Sequence, residues 1–271
     1  MKYHKKLKIV LLICCVLALL AGGIIFFMSR ETSYRPNTDH IPIIGYHNLA
    51  KDEDKNKYWR FDPWTASLSS FEKQMKYLHD HGYHTISLDE LYAWKHKKKQ
   101  FSNKTVVITF DDSYYSTSLL AEPILKKYGF QAATFVIGYS IPKQIQTYDA
   151  AKKQHIPITL LKDTKTMKYY SHFYHLHRKI DNEYAINTYT VKELQKDIQS
   201  AGEAVSTDYV AYPFGKYNDN VQKALYQESV KMAFSYNQFR SMKRSDPIYE
   251  LPRYSVNAYT PMFVFQYMIN H

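Results

Sequence analysis

A run of 20 residues without a charged side chain, residues 9–28, is the feature that most limits how this 271-residue chain folds. At the helical rise per residue, such a run spans the ~30 Å hydrocarbon core of a bilayer. Four lysines precede it, so residues 1–8 are predicted to be a cytoplasmic basic end, with the rest of the chain outside. A cleaved signal peptide is the alternative, but its apolar core is usually roughly 7–15 residues long and ends at a small-residue site. We therefore predict an uncleaved transmembrane signal anchor over residues 9–28.

The chain beyond this anchor is only mildly basic and contains no cysteine. The whole chain has 36 Lys and Arg against 25 Asp and Glu, but five of the basic residues lie in the first 30, which leaves an excess of +6. Such an excess does not favour a nucleic-acid partner. Cys14 and Cys15 both lie in the anchor, so the exported part has neither a disulfide nor a thiolate metal site. Any metal there must use other ligands.

Short β-rich runs alternate with amphipathic stretches from residue 41 onward. Polar residues 29–40 predict a tether, and residues 41–271 predict one domain. Capping-box spacing predicts helix starts at residues 69–72, 87–90 and 190–193, and residues 139–189 are predicted to be irregular. The buried run 105–110 is the clearest strand. Repeated β-then-α units predict an α/β fold with a parallel sheet, open or closed into a barrel, and with reactive groups at the carboxyl ends of its strands.

Two groups of residues carry metal or acid–base chemistry. Asp111 and Asp112 directly follow the strand 105–110, where adjacent carboxylates need a cation or a proton if they are buried. The alternative is a helix N-cap followed by a first-turn acid. His172, His175 and His177 fall within six residues, and two histidines with one carboxylate are typical of a hydrolytic zinc site. The alternative here is a solvated histidine-rich loop. On a helix, His172 and His175 would share a face, whereas His172 and His177 would not.

An ordered set of motifs resembles the polysaccharide deacetylases of carbohydrate esterase family four, the NodB-type homology domain. The motifs are Thr109-Phe110-Asp111-Asp112, Ser171-His172 with His177, Ala211-Tyr212-Pro213-Phe214-Gly215 and Leu251-Pro252-Arg253. The resemblance covers roughly residues 41–260. Ile44-Gly45-Tyr46-His47-Asn48-Leu49 and the five-residue step between His172 and His177 resemble the branch that deacetylates poly-β-1,6-N-acetylglucosamine, a biofilm adhesin.

The resemblance implies a distorted (β/α) barrel of about seven strands, preceded here by the single transmembrane helix. It implies that Asp112, His172 and His177 hold a divalent metal, which we expect to be Zn²⁺, with His175 as an alternative ligand. Asp111 would be the general base and His47 the general acid. The residues assigned to substrate and oxyanion contacts are Phe214, through its backbone N–H, Tyr212 and Arg253.

Three departures from the family pattern concern the efficiency and ligation of this site. Phe173 stands where the family has Ser or Thr, and so removes a hydroxyl that would brace the histidine loop. His175 stands where this branch has an acidic residue or Asn. Ala211 replaces an arginine that orients the base in many members, a role for which Arg253 is the candidate substitute.

The anchor and the resemblance together predict a single-pass protein of the cell membrane whose extracellular domain is a metal-dependent deacetylase of an N-acetylglucosamine polymer, for which poly-β-1,6-N-acetylglucosamine is the expected substrate. Peptidoglycan and chitooligosaccharides are alternative substrates, and a non-catalytic carbohydrate-binding protein on the same scaffold is the alternative from another class. A glycosidase would need two carboxylates on either side of a glycosidic bond, which the neighbours Asp111 and Asp112 do not provide. Expected partners are the polysaccharide, the membrane and polysaccharide synthase machinery, with no nucleic acid.

Overall fold

The computed structural model describes residues 2–271, and its centre is a parallel sheet that curls into a half-barrel. The strands are β1 (His40–Ile41), β2 (Ile43–Tyr46), β3 (Asn48–Ala50), β4 (Thr65–Ser67), β5 (His84–Thr85), β6 (Thr105–Phe110), β7 (Ala132–Val136), β8 (Met167–Ser171), β9 (Lys179–Ile180), β10 (Glu183–Tyr184), β11 (Ser206–Ala211), β12 (Met232–Phe234), β13 (Met242–Lys243) and β14 (Tyr254–Ser255).

Nine helices accompany these strands in the described chain. They are α1 (Lys2–Ser29), α2 (Asp52–Tyr58), α3 (Leu68–Asp80), α4 (Leu88–Lys95), α5 (Glu122–Lys127), α6 (Ala185–Thr188), α7 (Val191–Gly202), α8 (Asp219–Gln227) and α9 (Met262–Asn270). A π-helical turn over Thr117–Ala121 leads into α5, and short 3₁₀ turns lie at Gly138–Ser140, Ile158–Leu160 and Pro213–Gly215.

Seven strands of the half-barrel run parallel in the order β12–β11–β8–β7–β6–β2–β14, and β5 pairs with the start of β6. Segment 251–255 links the two edges, because Leu251 bridges to Phe234 of β12 while Tyr254 pairs with Ile44 of β2. Phe135 of β7 contacts Phe234 across the interior at 5.7 Å between ring centroids. The expected α/β fold, a distorted (β/α) barrel of about seven strands, is confirmed, and its seven-stranded sheet has the form of a half-barrel.

The register of β2 against β6 explains how two distant motifs meet. Tyr46 pairs with Phe110 in parallel register, so the next residues, His47 and Asp111, leave the same edge of the sheet. All six residues of β6 are buried, as expected for a strand covered on both faces. The carboxyl ends of the central strands therefore bring together the residues that follow them.

Helix starts follow local capping chemistry closely but not completely. Ser87 and Thr190 each form a full capping box, at α4 and α7, as their spacing predicts. At α3 the prediction is two residues late, because Ser67 is the N-cap and its side chain accepts from the Ser70 N–H. Ser67 rather than Ser69 thus accepts from a backbone N–H of the first helical turn, which has no partner within the helix.

The prediction that residues 139–189 are irregular is wrong. This stretch contains β8, which lies between β7 and β11 in the middle of the sheet, and the small β9–β10 hairpin. The buried side chains of β8 include Met167, Tyr169 and Tyr170, and Lys168 reaches Asp89 at the surface. The sequence pattern does not predict this strand, because its residues include tyrosine and lysine instead of the usual aliphatic side chains.

Helix α1 contains one stretch, Ile9–Ser29, that is long and apolar enough to cross a membrane, and none of it is buried against the domain. The segment after it lies along the domain surface. Asn103 exchanges hydrogen bonds with Arg35 of this segment at 2.8 and 3.1 Å, and Glu31 pairs with Lys104 at 3.1 Å. Polar residues 31–39 therefore have specific partners on the domain.

Candidate active site and metal centre

Asp111 is held at the end of β6 by a bidentate ion pair with Arg253. Each guanidinium NH group donates to one carboxylate oxygen at 2.8 Å, and both residues are buried. Arg253 also donates to the Ser235 carbonyl and to Thr109 Oγ1, so its position is fixed. It lies 5.2 Å from the Phe135 ring, inside the half-barrel and behind Asp111.

The charge state of Asp111 follows from this pairing. Burial alone would raise the pKa of Asp111, but the Arg253 guanidinium and the neighbouring histidines outweigh it and hold the pKa far below its usual range. Asp111 therefore stays ionised throughout the physiological pH range. Bidentate Arg–carboxylate geometry also fixes the plane of the carboxylate.

Arg253→Met is expected to lower the free energy of unfolding by about 3–5 kcal/mol, because it leaves the Asp111 charge buried without a partner. Thermal denaturation of the full chain in detergent measures this. The control is the double variant Asp111→Leu/Arg253→Met, which removes both charges and should recover most of the loss. If the double variant is no more stable than Arg253→Met, this ion pair does not account for the effect.

Asp112, His172 and His177 form a compact group at the carboxyl ends of β6 and β8. Each offers one ligand atom, and these atoms all lie within 4.8 Å of one another. His172 Nε2 is 3.6 Å and His177 Nε2 is 3.4 Å from the same carboxylate oxygen, Asp112 Oδ1. That oxygen is buried and has no hydrogen-bond partner among the described residues.

In the tautomer that His172 adopts, its Nε2 and the Asp112 carboxylate oxygen are both hydrogen-bond acceptors, and they face each other. Its Nδ1 lies 2.8 Å from the Ala211 carbonyl, which can only accept, so Nδ1 carries the proton and Nε2 presents a lone pair to Asp112. Burial lowers the pKa of His172 to about 4, so the ring is neutral near pH 7. A buried carboxylate oxygen that faces an imidazole lone pair is costly unless a cation or a proton lies between them. The group therefore fits a divalent metal with nitrogen and oxygen ligands.

His175, the alternative ligand, lies outside this group. Residues 172–178 form an irregular loop rather than a helix, so the shared helical face of His172 and His175 does not arise. The His175 ring stacks on Tyr139 at 3.9 Å between centroids, whereas the His177 ring lies 5.2 Å from that of His172.

Asp197 of α7 braces the histidine loop, and the sequence motifs give no sign of it. Its two carboxylate oxygens accept the backbone N–H groups of Tyr174 and His175 at 2.7 and 2.8 Å. Ser171 Oγ accepts the N–H of Phe173, whose φ of +62° lies in the left-handed region. These contacts hold a loop in which phenylalanine stands where the family has a hydroxyl residue.

Asp197→Ala is expected to destabilise the fold by about 1–3 kcal/mol, since two backbone N–H groups lose their acceptors. It should also weaken metal binding, because the loop carries both His172 and His177. Thermal denaturation and zinc titration of the full chain measure the two effects. Asp208→Ala is the matched control: it removes an exposed ion pair with Lys231, for which the expected change is about 0–1 kcal/mol. Equal effects of the two variants would contradict a bracing role.

His47 lies beside the acid pair, against two aromatic rings. Its Nδ1 is 3.2 Å from the Tyr236 hydroxyl, and its ring lies 4.8 Å from that of Trp64. Burial lowers the pKa of His47, and the charges of Asp112 and Asp111 partly oppose this shift. No motif in the sequence identifies Tyr236 or Trp64 as a partner of His47.

Tyr236 also explains why residue 45, two residues before His47, is a glycine. A Cβ at residue 45 would lie 2.6 Å from Tyr236 Cε2, and the Tyr236 hydroxyl donates to the Gly45 carbonyl at 3.1 Å. Only glycine lets the ring approach this closely.

A tight turn after β11 contains Phe214, which lines the same cavity as the metal group. Phe214 has a φ of +57°, and Gly215, with a φ of +67°, donates its N–H to the Tyr212 carbonyl. The Phe214 N–H has no acceptor in the described part of the chain. Its ring lies 4.2 Å from that of His177.

The resemblance assigns Tyr212 to substrate and oxyanion contacts, but its hydroxyl is hydrogen-bonded elsewhere. Its hydroxyl donates to the Tyr249 carbonyl at 2.8 Å, and its ring stacks on Tyr217 at 4.7 Å. Tyr212 therefore contributes part of its surface to the site while its polar atom is used elsewhere.

The proposed catalytic residues and the metal group line one cavity of about 410 Å³. It contains His47, Asp111, Asp112, His172, His177 and Phe214, with aromatic walls formed by Trp64, Tyr114, Tyr184 and Tyr236. Arg253 lies behind the wall and His175 faces a second cavity of about 270 Å³. The first cavity thus joins an ionised carboxylate, a candidate metal group and a free N–H donor.

Comparison with known proteins agrees with this geometry. Residues 98–233, half of the chain, match the family described as polysaccharide deacetylase. The chain belongs to this family. It is accordingly a polysaccharide N-deacetylase, a hydrolase that acts on N-acetyl amide bonds. The matched segment carries Asp111, Asp112, His172, His177 and Phe214.

Individual relatives of this polysaccharide deacetylase extend the match to nearly the whole chain. The poly-beta-1,6-N-acetyl-D-glucosamine N-deacetylase of Staphylococcus aureus (strain N315) is 26% identical over 274 residues, which covers 93% of this chain and 92% of that protein. The Streptococcus pyogenes deacetylase PplD has a TM-score of 0.69 at 21% identity, over 86% of this chain and 99% of that chain. IcaB from Ammonifex degensii has a TM-score of 0.69 at 18% identity, over 86% and 98% respectively. These structures share the fold.

Proposed function

We propose that this polysaccharide deacetylase is a zinc-dependent enzyme that removes acetyl groups from poly-β-1,6-N-acetylglucosamine outside the cell. The observation that carries the metal dependence is the buried, unpartnered Asp112 Oδ1 facing two imidazole nitrogens. The named substrate of the Staphylococcus aureus relative, which aligns over 93% of this chain, supports the polymer.

The proposed roles follow from the charges around the cavity. A divalent cation bound by Asp112, His172 and His177 would polarise the acetamide carbonyl and lower the pKa of water from 15.7 toward about 7. Asp111, kept ionised and oriented by Arg253, accepts a proton from the attacking water.

The remaining groups act on the products of that attack. His47 donates a proton to the sugar nitrogen as the bond between nitrogen and the acetyl carbon breaks. The free N–H of Phe214 stabilises the negative charge that develops on the carbonyl oxygen. Hydrolysis of the N-acetyl group by water thus gives acetate and a protonated amine. Arg253 acts on Asp111 rather than on the substrate, and it supplies the guanidinium that Ala211 lacks.

We further propose the placement of the enzyme in the cell envelope. Residues 1–8 are the cytoplasmic end, residues 9–28 the membrane anchor, residues 29–40 the connection to the domain and residues 41–271 the deacetylase domain. Four lysines before the anchor and a 21-residue apolar stretch in α1 support this orientation. A polysaccharide synthase in the same membrane would then be a natural neighbour that delivers the polymer.

The experiment that tests the substrate compares acetate release from three oligomers. The full chain in detergent micelles is incubated separately with oligomers of poly-β-1,6-N-acetylglucosamine, of chitin and of peptidoglycan. Each incubation is run once with added zinc and once with a chelator. We expect zinc-dependent acetate release with the highest kcat/KM for the β-1,6 oligomer. Faster release from either other substrate would reassign the polymer, and no release from any of them with zinc bound would favour the carbohydrate-binding protein.

A further inference from the structure

The residue that supplies the carboxylate of the metal group stands in a strained turn. Asp112 and Ser113 have φ values of +68° and +53°, so two consecutive non-glycine residues adopt the left-handed region. This conformation is strained for a residue other than glycine and persists only where the surroundings fix it. Both residues are buried, and the turn directs the Asp112 carboxylate toward His172 and His177.

Two hydrogen bonds converge on the carbonyl oxygen of Asp112. The Ser113 hydroxyl donates to it at 2.6 Å, and Nδ1 of His155 lies at 2.6 Å from the same oxygen. Because a carbonyl only accepts, the His155 proton is on Nδ1. The serine is part of the turn itself, so His155 is the donor that comes from elsewhere in the chain.

His155 is held in place by its own segment. The Ile156 N–H donates to the Ser113 carbonyl at 2.9 Å and the Tyr115 N–H to the Gln154 carbonyl at 2.7 Å, which forms a short antiparallel bridge. The Tyr114 ring stacks on the imidazole at 5.3 Å between centroids.

The segment that carries His155 is also tied to the loop that follows α2. The Trp59 indole donates to the Ala150 carbonyl at 2.7 Å, and Lys153 pairs with Asp62 at 2.8 Å. Both bonds keep residues 150–155 against the site although this segment contributes no strand to the sheet.

We propose that His155 is a positioning residue: its Nδ1–H holds the Asp112 carbonyl, and through it the strained turn that aims the carboxylate at the metal. This rests on the proposed metal dependence. His155 itself lies outside the three-residue metal group, with its ring in the wall of the second cavity. Removal of the donor lets the turn relax, so the cost appears first in metal affinity.

The test compares His155→Leu with His155→Asn in the full chain in detergent. Leucine and asparagine have similar size and branching, but only asparagine keeps an N–H donor near the position of Nδ1. Zinc affinity is measured by competition with a chelating dye, without any polysaccharide. We expect His155→Leu to weaken zinc binding by about 10-fold or more, in line with lost contacts around metal ligands, and His155→Asn to stay close to wild type.

Controls separate this proposal from the others. His79→Leu makes the same change at an exposed histidine of α3 and should leave zinc affinity unchanged. Should His155→Leu not fold, His155→Ala replaces it in the comparison. If the wild type binds zinc and both variants bind it equally well, or equally poorly, the positioning role is overturned. If the wild type binds no zinc, the proposed metal dependence itself fails.

Discussion

Asp111→Asn is expected to lower kcat for deacetylation by about 10²–10⁴-fold, the usual contribution of a general base. Asparagine keeps the shape of the side chain and one oxygen for Arg253, but it cannot accept the proton from water. Zinc binding should persist, because Asp111 is outside the metal group. The measurement is acetate release under saturating zinc, with zinc content determined on the same sample.

The matched control for this variant is Asp208→Asn, the same change at a surface carboxylate paired with Lys231. It should leave kcat unchanged. Binding of the polymer to Asp111→Asn should also persist, which separates loss of the base from loss of the groove. Retention of near-normal turnover in a correctly folded Asp111→Asn sample would show that another group takes the proton.

Asp112→Asn is expected to abolish detectable zinc binding and, with it, acetate release. It removes the one negative charge among the three proposed ligands. In the wild type, zinc at 1,000 times its dissociation constant would stabilise the fold by about 4 kcal/mol. The variant should lose this stabilisation, so its Tm should not rise when zinc is added.

Without zinc, the expected difference in stability between the wild type and Asp112→Asn is reversed. The Asp112 carboxylate is buried and its Oδ1 has no hydrogen-bond partner in the described chain, so without metal its burial costs free energy. Burial raises the pKa of Asp112, whereas His47, His177 and His172 lower it while they are protonated, so the comparison is made at a pH where these histidines are neutral. In the absence of zinc, Asp112→Asn should therefore be at least as stable as the metal-free wild type. A large loss of stability without zinc would mean that Asp112 holds the fold rather than a metal.

Local signals predicted the frame of the site well. The buried strand 105–110 followed by two aspartates placed Asp111 and Asp112 at the carboxyl end of β6, where parallel sheets gather reactive groups. Ser87 and Thr190 marked helix starts, because capping is settled within four residues.

Contacts between distant segments could not be predicted in the same way. Arg253 is 142 residues from Asp111 in sequence, and their bidentate pairing depends on how segment 251–255 closes the half-barrel. Asp197 and His155 act on backbone groups of the site, and such contacts leave no motif of fixed spacing. The strand β8 was missed because its side chains are mostly tyrosine, lysine and methionine rather than aliphatic.

The measurement that tests the central claim most directly is anomalous diffraction at the zinc absorption edge from crystals of the zinc-loaded full chain. The claim is that Asp112, His172 and His177 together hold the catalytic metal. It predicts one strong peak at about 2.0–2.2 Å from an Asp112 carboxylate oxygen and from Nε2 of both histidines. A zinc peak on His175 or His155, or none near Asp112, would contradict the claim.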